Sequence, residues 1–136
     1  MTDQAQPLPR RLDPHFVYGF DALGSLVFGI TLLFAATPLT ELAGWAMPSA
    51  FLWVLGLLLL PWAAFNLWIA RSARPGKLVV TVNIMGDVIW VAGTIALLAI
   101  HTTGLSGLGL ALLLGQGIAV GGILALKLTG RHALAG

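Results

Sequence analysis

Residues 51–70 read FLWVLGLLLLPWAAFNLWIA, a run with no charged side chain and a single amide, Asn66. A helix rises about 1.5 Å per residue, so roughly 20 apolar residues cross the ~30 Å hydrocarbon core of a bilayer. Working outward, three further runs of this kind are found. The chain has 136 residues, 58% of them hydrophobic and only 9% charged, and its mean hydropathy is +0.95. Average soluble domains carry about 25% charged residues. The composition therefore excludes a soluble globular domain, a disordered chain and, with no cysteine, a disulfide scaffold or a thiolate metal site.

The spans fall at about 15–36, 48–70, 78–100 and 105–128. The expected fold is an all-α integral membrane protein with four transmembrane helices in an antiparallel bundle. It forms one domain over 15–136, after a polar tail at 1–14 that Pro7, Pro9 and Pro14 interrupt. Thr37-Pro38 is read as the end of the first span. A rival reading makes that span a cleaved signal peptide, from Arg10-Arg11 to Ala35-Ala36-Thr37. The run is too long for this, and Asp21 interrupts it. Pro48 is read as the opening of the second span, and a kink is expected at Pro61 within it. Pro75-Gly76 signals a tight turn.

Basic residues set the threading. Arg10 and Arg11 precede span one. Arg71, Arg74 and Lys77 lie between spans two and three, and Lys127 and Arg131 end span four. All fall on one side of a four-span arrangement, which predicts both termini in the cytoplasm of a bacterial inner (plasma) membrane. The net charge of +2 gives no reason to invoke nucleic acid.

Polar residues inside the spans carry whatever chemistry exists: Asp21, Asn66, Asn83, Asp87 and Gln116. An ionisable group in hydrocarbon costs ~2.5–3.5 kcal/mol on insertion scales, so each is a candidate ligand or ion site. Asn83 and Asp87 share one helix face, which Trp90 and Thr94 extend. Asp21 precedes Thr37 by sixteen residues and Asp87 precedes Thr103 by sixteen. If each Thr marks an outer span end, both aspartates lie ~24 Å from it, in the cytoplasmic half. Asp21, Asn66, Asn83 and Asp87 then meet at one level, with Gln116 nearer mid-membrane. The matching offsets also suggest two related hairpins, 15–70 and 78–128. The alternative role for these residues is structural: amides as interhelical glue, and an Asp that snorkels to headgroups or pairs with a nearby cation.

Helix packing is expected to use Gly117 and Gly121 on span four and Ser25 and Gly29 on span one, within one bundle or between copies. Histidines give no metal or haem site. His15 and His132 belong to the cytoplasmic face as solvated side chains, and His101 has no partner at its depth. Trp45, Trp62 and Trp68 suit interface or lipid contacts, while Trp53 and Trp90 lie deeper, where an indole N–H needs an acceptor.

With the spans placed, the chain resembles a loose group of small four-helix bacterial inner-membrane proteins without assigned activity. The features that carry this are Asp21-Ala22 followed by Gly24, Pro61 among aromatic residues, Ala73-Arg74-Pro75, Asn83 before Trp90, and Gln116 with Ala119-Val120. The resemblance implies a bacterial plasma-membrane location and supplies no activity. The size is similar to that of small multidrug exporters, but the pattern around Asp21 differs and the one-sided charge bias argues against dual topology. No catalytic motif, cofactor or metal site is expected. The leading expectation is a non-catalytic accessory or assembly subunit whose partners are the lipid bilayer and other membrane subunits or copies of itself. The alternatives are a small proton-coupled transporter built on Asp21 and Asp87, and a binder of an apolar ligand such as a quinone, lipid or pigment.

Overall fold

The computed structural model describes residues 13–134, which form α1 (Pro14–Ala43), α2 (Ser49–Arg71), α3 (Lys77–His101) and α4 (Gly107–Leu134). All four are long and apolar enough to cross a membrane, and no strand occurs among the described residues. Most of the expected polar tail, with Arg10 and Arg11, lies outside the described residues.

Pro14 belongs to the first helix rather than to the tail. It occupies the first turn, where its missing N–H is no loss, and the Asp13 side chain caps the helix by accepting the His15 N–H at 3.0 Å. That backbone N–H, and then the His15 ring, hold the exposed Asp13 carboxyl below its ordinary range. The cap is therefore complete above the usual carboxylate range and is lost as pH falls through the lowered value.

Thr37-Pro38 does not end α1, contrary to the sequence expectation. Pro38 lacks the N–H that would bond back to Phe34, and the backbone departs from helical angles at Ala35 (φ −117°, ψ 17°). The helix then continues to Ala43 and closes on Gly44, whose left-handed φ of 66° permits its N–H to bond the Glu41 carbonyl. The break thus lies in α1, whereas α2 runs as one helix through Pro61. Pro48 sits one position before α2, as its N-cap. Span four is also longer than expected and ends at Leu134.

The helix faces are inverted relative to a soluble bundle. On α1 the buried positions are Val17, Tyr18, Asp21, Ala22, Ser25, Gly29, Leu32 and Ala36, which recur at helical spacing along one face. Large apolar side chains such as Phe34, Leu78, Ile100 and Ile118 point outward. In a bilayer this costs nothing, because lipid tails are as apolar as Leu; close packing and polar contacts hold the helices together. α1 meets α2 at a glycine crossing. A Cβ on Gly56 would lie 2.8 Å from the Gly29 carbonyl oxygen, and one on Gly29 would lie 3.1 Å from that of Gly56. Gly117 of α4 fits against Thr94 of α3, whereas a Cβ on Gly121 would meet nothing within 4 Å.

Both ends of the bundle are tied. At one end the Gly76 N–H donates to the Leu134 carbonyl at 3.3 Å, and His15 Nε2 bonds the Ser72 carbonyl at 2.8 Å. The start of α1, the α2–α3 turn and the end of α4 therefore lie together, over a core of Tyr18, Ile69, Val80, Ile84 and Leu134. His15 is engaged here rather than free in solvent, as its position had suggested. At the other end Ser106 caps α4. Its hydroxyl donates to the Leu42 carbonyl at 2.7 Å and accepts the Gly109 N–H at 3.0 Å.

Gly56→Leu forces backbone apart at the α1–α2 crossing and is expected to destabilise the protein by about 1–3 kcal/mol. Gly24→Ala, where a Cβ meets open space, is expected to leave stability unchanged or raised slightly. Unfolding titrations in mixed micelles measure both.

Candidate functional site

The site assembles around Lys127, a residue expected from the sequence to be a cytoplasmic end charge. Its side chain is fully buried, one helix turn before the exposed Arg131. Each participating residue sits a few residues in from the same end of the bundle. Asp21 is seven residues from Pro14, Asn66 five from Arg71, Asn83 six and Asp87 ten from Lys77, and Lys127 seven from Leu134. At 1.5 Å per residue that is a layer roughly 7–15 Å inside the helix ends.

Lys127 Nζ lies 2.6 Å from Asp21 Oδ2, 2.7 Å from Asp87 Oδ2, 2.8 Å from Asn83 Oδ1 and 3.0 Å from Asn66 Oδ1. Thus α4 supplies one cation, and the oxygens that face it come from α1, α2 and α3. An ammonium has three hydrogens. The three shortest contacts use them, and Asn66 Oδ1, the most distant, accepts a hydrogen from Asn83 Nδ2 at 3.2 Å. Asn66 Nδ2 donates to the Trp62 carbonyl at 3.0 Å, and Ser25 Oγ donates to Asp21 Oδ1 at 3.1 Å. The amide orientations follow from this network, because each Asn must turn its oxygen toward the ammonium.

Aromatic rings close the remaining sides. The Tyr18 ring lies 4.7 Å from Nζ and the Trp62 ring 5.7 Å, both within cation–π range. Trp62 therefore faces inward rather than the lipid. Its ring reaches across to α3 and occupies the space where a Cβ on Gly86 would stand. The Tyr18 hydroxyl is buried and has no hydrogen-bond partner among the described residues. Side-chain exposure is 0% for Lys127, 9% for Asp21 and 4% for Asp87. Buried pairs of this kind are held by their mutual geometry, and removing one partner strands the other in a dry interior.

Four of the five candidate residues are thus gathered on one atom. The fifth, Gln116, builds a separate cluster about 16 Å further along α4 by helix rise. Its Oε1 accepts the Trp90 indole N–H at 2.7 Å, and its Nε2 donates to Thr94 Oγ1 at 2.9 Å and to the Leu113 carbonyl at 3.0 Å. This polar clamp joins α3 to α4, with Gly117 against Thr94 beside it. Of the packing candidates, Ser25 serves the charged layer and Gly29 the α1–α2 crossing, whose other half, Gly56, the sequence reading did not single out. His101 lies against the Trp45 ring, 5.0 Å between centroids. Lys127 was legible in one respect: it stands within the apolar run Ile123–Leu128, before the true helix end.

Lys127→Met leaves two carboxylates facing each other without a cation and is expected to destabilise the fold by about 3–5 kcal/mol. Asp21→Asn retains an oxygen for Nζ and a neutral Lys–Asp pair, so its loss is expected to be the smaller. Unfolding by SDS in mixed micelles ranks them, and a Lys127→Met protein as stable as wild type contradicts the network. Compared with known protein families, characterised proteins and solved structures, the chain matches none.

Proposed function

We propose that this protein is a non-catalytic component of a bacterial plasma membrane, an accessory or assembly subunit that works through contact with other membrane subunits or copies of itself. The observation that carries this reading is the closure of the Lys127 network. All three hydrogens of the ammonium are used inside the bundle, on Asp21, Asn83 and Asp87, so the cation itself is fully engaged within the chain. The layer acts as a lock that fixes how four otherwise slippery apolar helices fit. Outside it, α4 is left largely uncovered: only Gly109 and Leu134 are buried, and a Cβ added at Gly115, Gly121 or Gly122 would meet nothing within 4 Å. Small residues on an uncovered membrane helix permit close approach by another helix.

In the proposed threading the helices run antiparallel with both termini cytoplasmic. Support comes from the basic turn Arg71–Lys77, which is tied to the start of α1 and the end of α4. Lys127 no longer counts toward the charge bias, but Arg71, Arg74, Lys77 and Arg131 still do.

A proton-coupled transporter is the second reading, favoured by the charge count of the layer: two carboxylates against one ammonium. An apolar-ligand binder has less support. The open grooves at Leu33–Trp53 and between α3 and α4 measure about 270 and 170 Å³, below the ~300–1,000 Å³ of ordinary small-molecule sites.

Purification in mild detergent with native mass measurement is expected to give a complex, homomeric or mixed. Gly121→Leu is expected to weaken it while leaving the monomer fold intact. A protein that remains alone and monomeric under all gentle conditions contradicts the assembly reading.

A further inference from the structure

We propose that the Lys127 layer is a single-proton site: at neutral pH it holds one proton beyond those of the lysine, on the free oxygen of Asp87. Such a proton site goes beyond the accessory role and does not depend on it.

The charge count comes first. Asp21 and Asp87 both touch Nζ of one lysine, and among the described residues no other cation lies within 4 Å of either carboxylate. Fully ionised, the layer carries one surplus negative charge among side chains at most 9% exposed. A buried charge without a partner is costly, and a group so placed takes up a proton instead. The other groups facing the layer cannot neutralise it. From α1 they are Tyr18 and Ser25, from α2 Asn66 and Trp62, and from α3 Asn83; none carries positive charge. Lys127 of α4 is already shared.

Geometry then selects the atom. Oδ1 of Asp21 is occupied by the Ser25 hydroxyl, and both Oδ2 atoms face Nζ. Oδ1 of Asp87 has no donor among the described hydrogen bonds. A solvated proton taken up from the bulk, its hydronium leaving as water, forms an O–H bond there and converts the layer to a neutral set: one ammonium, one carboxylate and one carboxylic acid. The buried Tyr18 hydroxyl, on the ring packed against Nζ, is a second and independent sign of unused hydrogen-bonding capacity in this layer.

Infrared spectroscopy of the protein in lipid vesicles at pH 7 tests this, with aspartate labelled by carbon-13. The expected spectrum contains the carbonyl stretch of one protonated aspartic acid, shifted by the label and by deuterium oxide. Asp87→Asn and Asp21→Asn each leave a balanced one-to-one pair, so each is expected to abolish the band. A wild-type spectrum without the band overturns the proposal, whether or not either variant folds. A band that persists in Asp87→Asn also overturns it. A bound monovalent cation in place of the proton gives the spectrum without the band. Co-purification and this spectrum fail independently, so loss of one reading does not disguise loss of the other.

Discussion

A single ammonium group, Lys127 Nζ, touches oxygen atoms from each of the other three helices. In water such contacts are worth little, because solvent competes for every partner. In a bilayer interior no solvent competes, and an unsatisfied polar group costs several kcal/mol. The layer therefore does for this bundle what a hydrophobic core does for a soluble one: it makes one arrangement of the helices much better than its neighbours. A register slip of one residue in any helix turns its polar group away from Nζ and toward lipid.

The rest of the architecture follows from how far that constraint reaches. Near the layer the helices are densely joined, with Tyr18, Ile69, Val80, Ile84 and Leu134 packed beneath it and the Trp62 ring against Gly86. Further along, contacts become pairwise. α1 and α2 approach through Gly29 and Gly56. α3 and α4 are joined by the Trp90–Gln116–Thr94 clamp, and α1 and α4 meet again where Ser106 grips the end of α1. The break at Ala35 divides the first helix between these regions. The outward faces are apolar and uncovered, the surface a membrane protein presents to lipid or to another helix.

Helix number, approximate spans and the four oxygen-bearing residues of the charged layer are legible in the sequence, because intramembrane polar groups are few and each must find a partner. Asp21, Asn66, Asn83 and Asp87 could be grouped by depth alone. Thr37, from which that depth is measured, is no helix end, because α1 continues to Ala43. Proline signals a lost hydrogen bond, but whether a helix stops or bends there depends on what packs beyond it. The cation of the layer was missed because a lysine near a chain end fits a topology rule as well as it fits a pairing rule. Its seven-residue distance from the helix end, the same as that of Asp21, distinguishes the two only once the end is known. The paired hairpins suggested by the equal Asp–Thr offsets do not extend to the packing. The shift that aligns Asp21 with Asp87 sets Gly29, at the tight crossing, against Ile95, which faces outward.

The chain contains two lysines, Lys77 and Lys127. Lys77 is exposed at the start of α3, and the Lys127 side chain is wholly enclosed. Reaction of the folded protein with an amine-modifying reagent in lipid or mild detergent, followed by peptide mass analysis, separates the two. The buried network predicts rapid modification of Lys77 and protection of Lys127 until the protein is unfolded in SDS. Equal reactivity of both lysines in the folded state would show that Lys127 faces water, and the arrangement described for the four helices would then be wrong.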